Sequence, residues 1–272
     1  MDVSSELPFF VSIPHSGEEI PPEVTWLSSL PEETLMRDVD RFVDQLYAPV
    51  IKKLSIPLIK TQWHRYVIDL NRSPDQFDQD SVVGATNEKG TFPKGLHWSV
   101  TTHGETLIPK PMSMETHQKL VQSYYLPFHD SVQQMRESIK DSYGHSFHLD
   151  LHSMPSLGTS LHPDPGQTRA EVVISDFHGQ SAEPFFKELV IESFQEAGFQ
   201  VAYNWPYIGG GITQKFGAPG EGFNTIQVEL NRVLYMNEET KKLNTSGLSA
   251  IQEKLGEAIE NVVISLKDRL AE

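Results

Sequence analysis

The stretch HLDLHSMP, residues 148–155, decides the architecture. It follows a helix-like run that ends at Tyr143 and breaks at Pro155, so it reads as a β-strand. Alternate side chains of a strand share a face. His148, Asp150 and His152 therefore point one way, and Phe147, Leu149 and Leu151 the other. The apolar row is an ordinary core face. The row of two histidines and an aspartate needs something to hold.

Short apolar runs and helical periods alternate on both sides of this strand. Phe9–Ile13 reads as a buried strand stopped at Pro14, and residues 32–54 as one helix with Leu35, Val39, Phe42, Leu46, Val50 and Leu54 at helical spacing. Ile56–Lys60 and Tyr66–Leu70 read as strands. Residues 71–112 are rich in Pro, Gly, Thr, Ser and Asp, and a loop of that length is functional or a lid. A long helix follows over 114–142, kinked or broken at Pro127. After the 146–151 strand come Glu171–Ile174, a helix over 181–197 ended by Gly198, the strand Phe199–Tyr203, a glycine-rich loop over Tyr207–Phe216, the strand Thr225–Leu230 and an amphipathic helix over 246–270. This alternation predicts an α/β fold, three layers α/β/α around a central mixed sheet, as a single domain over residues 1–272.

Ligands of such sheets sit beyond the strand ends. Polar clusters fall there: Pro14–Gly17, Asp69–Arg72, Asp150–Ser153 and Glu229–Arg232. The net charge is −15, which argues against nucleic acid or an anionic membrane as partner. No segment approaches the length of a bilayer span, and the N-terminus has no basic leader, so a cytoplasmic protein is expected.

The chain has no cysteine, so any metal must use His, Asp or Glu. Catalytic zinc takes three protein ligands and a water. Among 11 histidines, His15 and His152 each leave a strand end and can meet at one edge of the sheet. The third ligand is a carboxylate with two candidates. Glu18 forms His-x-x-Glu with His15; Asp40 lies on the row Met36, Asp40, Val43, Tyr47 beside the apolar face of the 32–54 helix. Asp150 would orient a histidine, His148 is a structural neighbour, and Asp38 is a surface charge or a competitor of Asp40. Arg65, Asn71 and Arg72 gather around one segment, as a clamp for an anionic substrate or as an ion-pair network in which Asp69 braces one arginine. Glu229 shares a face with Gln227 and Asn231 and can take a proton from a metal-activated water, or else pair with Arg232 or Arg72.

Together these residues resemble the N-formylglutamate amidohydrolase family. The matching stretches are Val11–Gly17 with Pro21, Asp38-Val39-Asp40 with Leu46-Tyr47, Arg65–Arg72, Phe128-His129-Asp130, Asp150–Ser153, Gly210–Thr213, and Glu229-Leu230 with Tyr235-Met236. The chain departs from the pattern at Arg41-Phe42, where the family often has Trp-His, and at His64, where it often has Ser. The resemblance implies a fold similar to the zinc carboxypeptidases and aspartoacylases, whose own order would put a ligand at Glu18. The amidohydrolase pattern favours Asp40 instead.

The activity it implies is zinc-dependent hydrolysis of N-formyl-L-glutamate to formate and glutamate, as in histidine breakdown. Zinc would sit on His15, Asp40 and His152, with Glu229 as general base and Arg65 beside it in the catalytic set. Arg65, Asn71, Arg72, Gly210 and Thr213 would bind the small anionic N-acyl amino acid. The alternatives are an amidase for another N-acyl amino acid and a non-catalytic module for small anions.

Overall fold

The structure is a computed structural model and describes residues 8–270. Its elements run β1 (Phe9–Ile13), α1 (Glu32–Leu35), α2 (Val43–Leu54), β2 (Leu58–Lys60), α3 (Met114–Leu120), α4 (Leu126–Tyr143), β3 (Ser146–Met154), β4 (Val172–Ser175), α5 (Pro184–Glu196), β5 (Val201–Tyr203), α6 (Gly211–Phe216), β6 (Phe223–Asn231), the short pair β7 (Met236–Asn237) and β8 (Lys242–Leu243), and α7 (Leu248–Leu270). Six strands form one sheet in the order β2-β1-β3-β6-β4-β5. The first four run parallel; β4 pairs antiparallel with β6 and parallel with β5, so the sheet is mixed.

The two faces of the sheet differ in chemistry. Phe9, Val11 and Ile13 of β1, Phe147, Leu149 and Leu151 of β3, and Ile226, Val228 and Leu230 of β6 pack with apolar residues of α2, α5 and α7 in one core. The opposite face carries Ser12, His148, Asp150, His152, Gln227 and Glu229, all buried. It is covered by a second core built from α3, α4, α6 and the irregular segment 61–112. Register puts the polar rows side by side: Ser12 opposite Asp150, Asp150 opposite Gln227, and His152 opposite Glu229.

Several expected elements take a different form. Residues 32–54 are not one helix. Helix α1 ends at Leu35, and α2 begins only after Phe42, whose φ of 70° is left-handed. The break has a cause. Asp38 and Asp40 both point inward and are buried, which two residues spaced i,i+2 on a helix cannot do. Tyr66–Leu70 is not a strand either. Its backbone turns, with Asp69 N donating to Leu96 O at 2.8 Å, and its apolar side chains pack into the second core. The helix over 114–142 is interrupted by a π-helical turn at Val121–Tyr125, just before Pro127 in the first turn of α4. The proline supplies no N–H for the regular ladder, and such turns recur at functional sites. The glycine-rich run is a loop only to Gly210; Gly211–Phe216 is helical. The 71–112 segment is irregular but packed, with Val82, Leu96, Trp98 and Leu107 buried in the second core.

Gly17 follows His15 where the chain leaving β1 runs beside the segment after β2. Glu19 N donates to Gln62 O at 2.9 Å, and His64 N to Glu19 O at 2.9 Å. A Cβ at Gly17 would meet Gln62 C at 2.4 Å and Trp63 O at 2.6 Å, both backbone atoms. Overpacking against a backbone that cannot rotate away costs about 1–3 kcal/mol. Gly17→Ala should therefore lower the melting temperature measurably and displace His15; a melting curve identical to wild type would show that the loop has room.

Candidate active site

Strands β1, β3 and β6 end at the same edge of the sheet, and a cleft of about 280 Å³ opens there. His15, Asp40, His152 and Glu229 line it, with Arg65 and Arg72. One possible ligand atom from each of His15, Asp40 and His152 lies within 4.8 Å of the others. Asp40 Oδ2 is 3.5 Å from His15 Nδ1 and 3.1 Å from His152 Nδ1. The structure thus brings Asp40 rather than Glu18 to the two histidines. Glu18 is held elsewhere, its carboxylate accepting from Arg41 Nε at 2.6 Å and from the same guanidinium at 3.1 Å.

Each histidine is braced from behind by a carboxylate. His15 Nε2 donates to Asp69 Oδ1 at 2.8 Å, and His152 Nε2 donates to Asp150 Oδ2 at 2.7 Å. Such partners fix the tautomer and leave Nδ1 to face a cation. His15 Nδ1 is buried and has no hydrogen-bond partner. An orphaned ring nitrogen, a second one beside it and a carboxylate oxygen are the donors a divalent ion takes. The residues present therefore fit a metal ion, zinc among the candidates.

The row read from the strand is joined from end to end. His148 Nε2 donates to Ser12 Oγ at 2.8 Å, and Ser12 Oγ donates to Asp150 Oδ1 at 2.6 Å. His152 continues the path to Asp40. His148 has its own structural place, stacked on Phe10 at 4.2 Å. Asp38 is not a surface charge: it accepts from Tyr66 Oη at 2.6 Å and from the Thr102 backbone and hydroxyl.

Charge sets the protonation states. Burial opposes the ionised form of Asp40, yet hydrogen bonds and charge from His15 and His152 hold it well below the usual carboxylate range. Burial likewise opposes charge on His152, but Asp150 above all, with Asp40, raises it well above an ordinary histidine. Glu229 goes the other way. Burial, reinforced by Asp40, pushes it up to about 7 against the pull of His152, Arg232 and Arg65. Gln227 Nε2 donates to Glu229 Oε1 at 2.8 Å, and Oε2 is buried with no partner.

The expected anion clamp is only partly as drawn. Arg65 lines the cleft but is committed: one nitrogen donates to Asp69 Oδ2 at 2.7 Å and another to Asp38 O at 2.8 Å. Asp69 is thus the brace of both Arg65 and His15. Arg72 donates to two backbone carbonyls and to no carboxylate. Asn71 lines the cleft, but its amide is structural, accepting from Ile212 N at 2.8 Å and donating to Gln227 Oε1 at 3.1 Å. Gly210 also lines the cleft; a Cβ there would meet the Asn71 amide at 2.3 Å, so only glycine fits. Thr213 is not at the surface of the cleft: it is fully buried beneath Gly209. Arg232, which the sequence suggested as a partner of Glu229, pairs instead with Asp40 Oδ1 at 2.9 Å and with Ser153 Oγ at 3.1 Å. Lys94, Trp98 and Tyr207 also line the cleft and carry no motif that marks them.

The family model of N-formylglutamate amidohydrolase matches residues 7–236, a span that contains all of these site residues. The N-formylglutamate deformylase of Pseudomonas putida is 28% identical over 238 residues, covering 85% of this chain and 83% of the relative. That of Pseudomonas aeruginosa is 25% identical over 272 residues, covering 97% and 96%. The crystal structure of N-formylglutamate amidohydrolase from Ralstonia eutropha JMP134 has a TM-score of 0.86 at 27% identity, covering 98% of this chain and 97% of that one. The chain is a hydrolytic amidase and belongs to the N-formylglutamate amidohydrolase family.

Proposed function

We propose that the protein hydrolyses N-formyl-L-glutamate to formate and L-glutamate with a zinc or similar divalent ion held by His15, Asp40 and His152. The observation that carries this reading is the convergence of two carboxylate-braced histidines and Asp40 beside Glu229, which pairs in register with His152 and whose pKa burial raises to about 7. The names of the relatives support the substrate. A divalent ion bound there supplies Lewis acidity for the formyl carbonyl and for water.

The chain's own residues do the rest. Glu229 Oε2, buried and without a partner, accepts a proton from the attacking water. The same carboxyl then delivers that proton to the departing amine, which balances the step: water and the amide become formate and the free amino acid. Asp69 and Asp150 keep the histidine rings in the tautomer with Nδ1 open toward the cation. Arg65, bound to Asp69, offsets the buried negative charge behind His15 more than it grips substrate. Arg72, without a carboxylate at ion-pair distance among the described residues, takes the clamp role.

Three measurements test the reading. Elemental analysis should find about one divalent ion per chain. That ion should be lost in His15→Ala, Asp40→Ala and His152→Ala and kept in Glu18→Ala; full occupancy in the first three variants would dissolve the site. Glu229→Gln should keep the metal but lose about 10²–10⁴-fold in kcat. In the wild type, the acid limb of kcat/KM should have its midpoint at or below about 7, because the base must be ionised and a bound cation lowers its pKa further. Turnover in Glu229→Gln near the wild-type rate would remove the residue from the chemistry.

A further inference from the structure

Four lysine and arginine side chains line the cleft: Arg65, Arg72, Lys94 and Arg232. Two of them are neutralised by the carboxylates of the histidine cluster, Arg65 by Asp69 at 2.7 Å and Arg232 by Asp40 at 2.9 Å. The other two differ. Arg72 donates Nε to Lys94 O and Nη1 to Asn71 O, each at 2.9 Å. Lys94 Nζ donates to Leu161 O at 3.0 Å. All three acceptors are neutral carbonyls, and among the described residues neither cation has a carboxylate within ion-pair distance, although Asp38 acts on Lys94 and Asp69 on Arg72 from farther off. Lys94 is partly desolvated, and that burial depresses its pKa, with the nearby Asp38 opposing the shift and Arg72 and Arg65 adding to it. Two like charges near one another and partly desolvated are a cost that Asp38 only partly offsets at Lys94. A carboxylate placed between them would remove it.

We infer that Lys94 and Arg72 together seat the substrate carboxylate farther from the scissile amide, and that Lys94 thereby sets the preference for an acidic side chain. This rests on N-formylglutamate being the substrate. Arg65 and Arg232 touch the cluster's own carboxylates and are the inner cations. Lys94 reaches instead to Leu161, on the 155–169 strap whose Arg169 donates to Tyr207 Oη at 3.0 Å across the cleft wall. In formylglutamate the side-chain carboxylate stands two methylenes beyond the α-carbon and meets these outer cations. An ammonium has three donors, and Leu161 O uses one, so two remain for the ligand. The Trp98 ring beside both arginines, 6.0 Å from Arg72 Cζ and 4.6 Å from Arg65 Cζ, gives the methylenes an apolar wall.

The test compares Lys94→Met, which keeps the unbranched stem of the side chain and deletes its charged end, on N-formyl-L-glutamate and N-formyl-L-glutamine. Expected is a loss of about 10–100-fold in kcat/KM for the glutamate substrate, mostly in KM, with the glutamine substrate changed by less than about threefold. A role in tying down the strap would show as an equal loss for both. Thr159→Val supplies that control, because it cuts another of the strap's bonds, Thr159 Oγ1 to Thr102 O at 2.9 Å, and leaves the charge; it should not discriminate between the substrates. Equal loss on both substrates in Lys94→Met, or loss on neither, overturns the inference. Should the wild type hydrolyse neither compound, the proposed function fails and the seat is read by calorimetry. Glutarate should then bind the wild type more tightly than its mono-amide, an advantage lost in Lys94→Met; equal binding of the two by the wild type overturns the seat as well.

Discussion

Asp40 is the constraint around which the site is arranged. It is a carboxylate almost fully out of water, and an ionised carboxylate there is tolerable only with donors and positive charge on every side. His15 comes from the end of β1, His152 and Ser153 from β3, and Arg232 from the turn after β6. Three separate pieces of chain are committed to one side chain. The price is a helix broken between Leu35 and Val43, with Phe42 in the left-handed region. Removing one partner of such a buried pair typically costs about 3–5 kcal/mol. Chain geometry around Asp40 therefore yields to electrostatics rather than to helical periodicity.

Stability and chemistry are divided between the two faces of the sheet. Each fully buried Val, Leu, Ile or Phe contributes about 1.5–3 kcal/mol, and the face against α2, α5 and α7 is made of such residues. The opposite face is a run of hydrogen bonds from His148 through Ser12, Asp150 and His152 to Asp40. A neutral bond in such a run contributes only about 0.5–1.5 kcal/mol net. On those magnitudes the polar row adds little that apolar residues would not add better. Its value is orientation: it holds the His152 ring in one tautomer, as Asp69 separately holds His15, whose Nδ1 has no hydrogen-bond partner.

The same division explains what could be read from the sequence. Strands β1, β3 and β6 announce themselves because one face is apolar at period two, and the histidine row follows from the same period. Asp40 was reached through a helix that does not exist: its place on an amphipathic row was an accident of spacing, and the family resemblance, not the period, separated it from Glu18. Tyr66–Leu70 looked like a strand because its residues are buried and apolar, but they are buried by irregular chain rather than by a neighbouring strand. Arg65 and Arg72 look alike in sequence. Only the fold shows that Asp69 has claimed the first, and that Arg232 belongs to Asp40. Lys94 sits in a segment with no period at all, so no pattern could place it in the cleft.

Electrostatic order along the cleft then follows from what the fold pairs and what it leaves unpaired. At a net charge of −15 the molecule repels an anion at long range, but screening confines that repulsion to about 8 Å at physiological ionic strength. Inside that distance the cleft presents unpaired Arg72 and Lys94. Deeper in, Arg65 and Arg232 are spent on Asp69 and Asp40, so the floor remains fit for a cation rather than an anion. Glu229 lies between these regimes. Burial and Asp40 raise its pKa, while His152, Arg232 and Arg65 restrain the rise near neutrality. A carboxyl moved further in either direction would be permanently protonated or too weak a base. Arg65, which the sequence offered as a substrate ligand, thus also tunes the base, and a charge deleted there would be felt at Glu229.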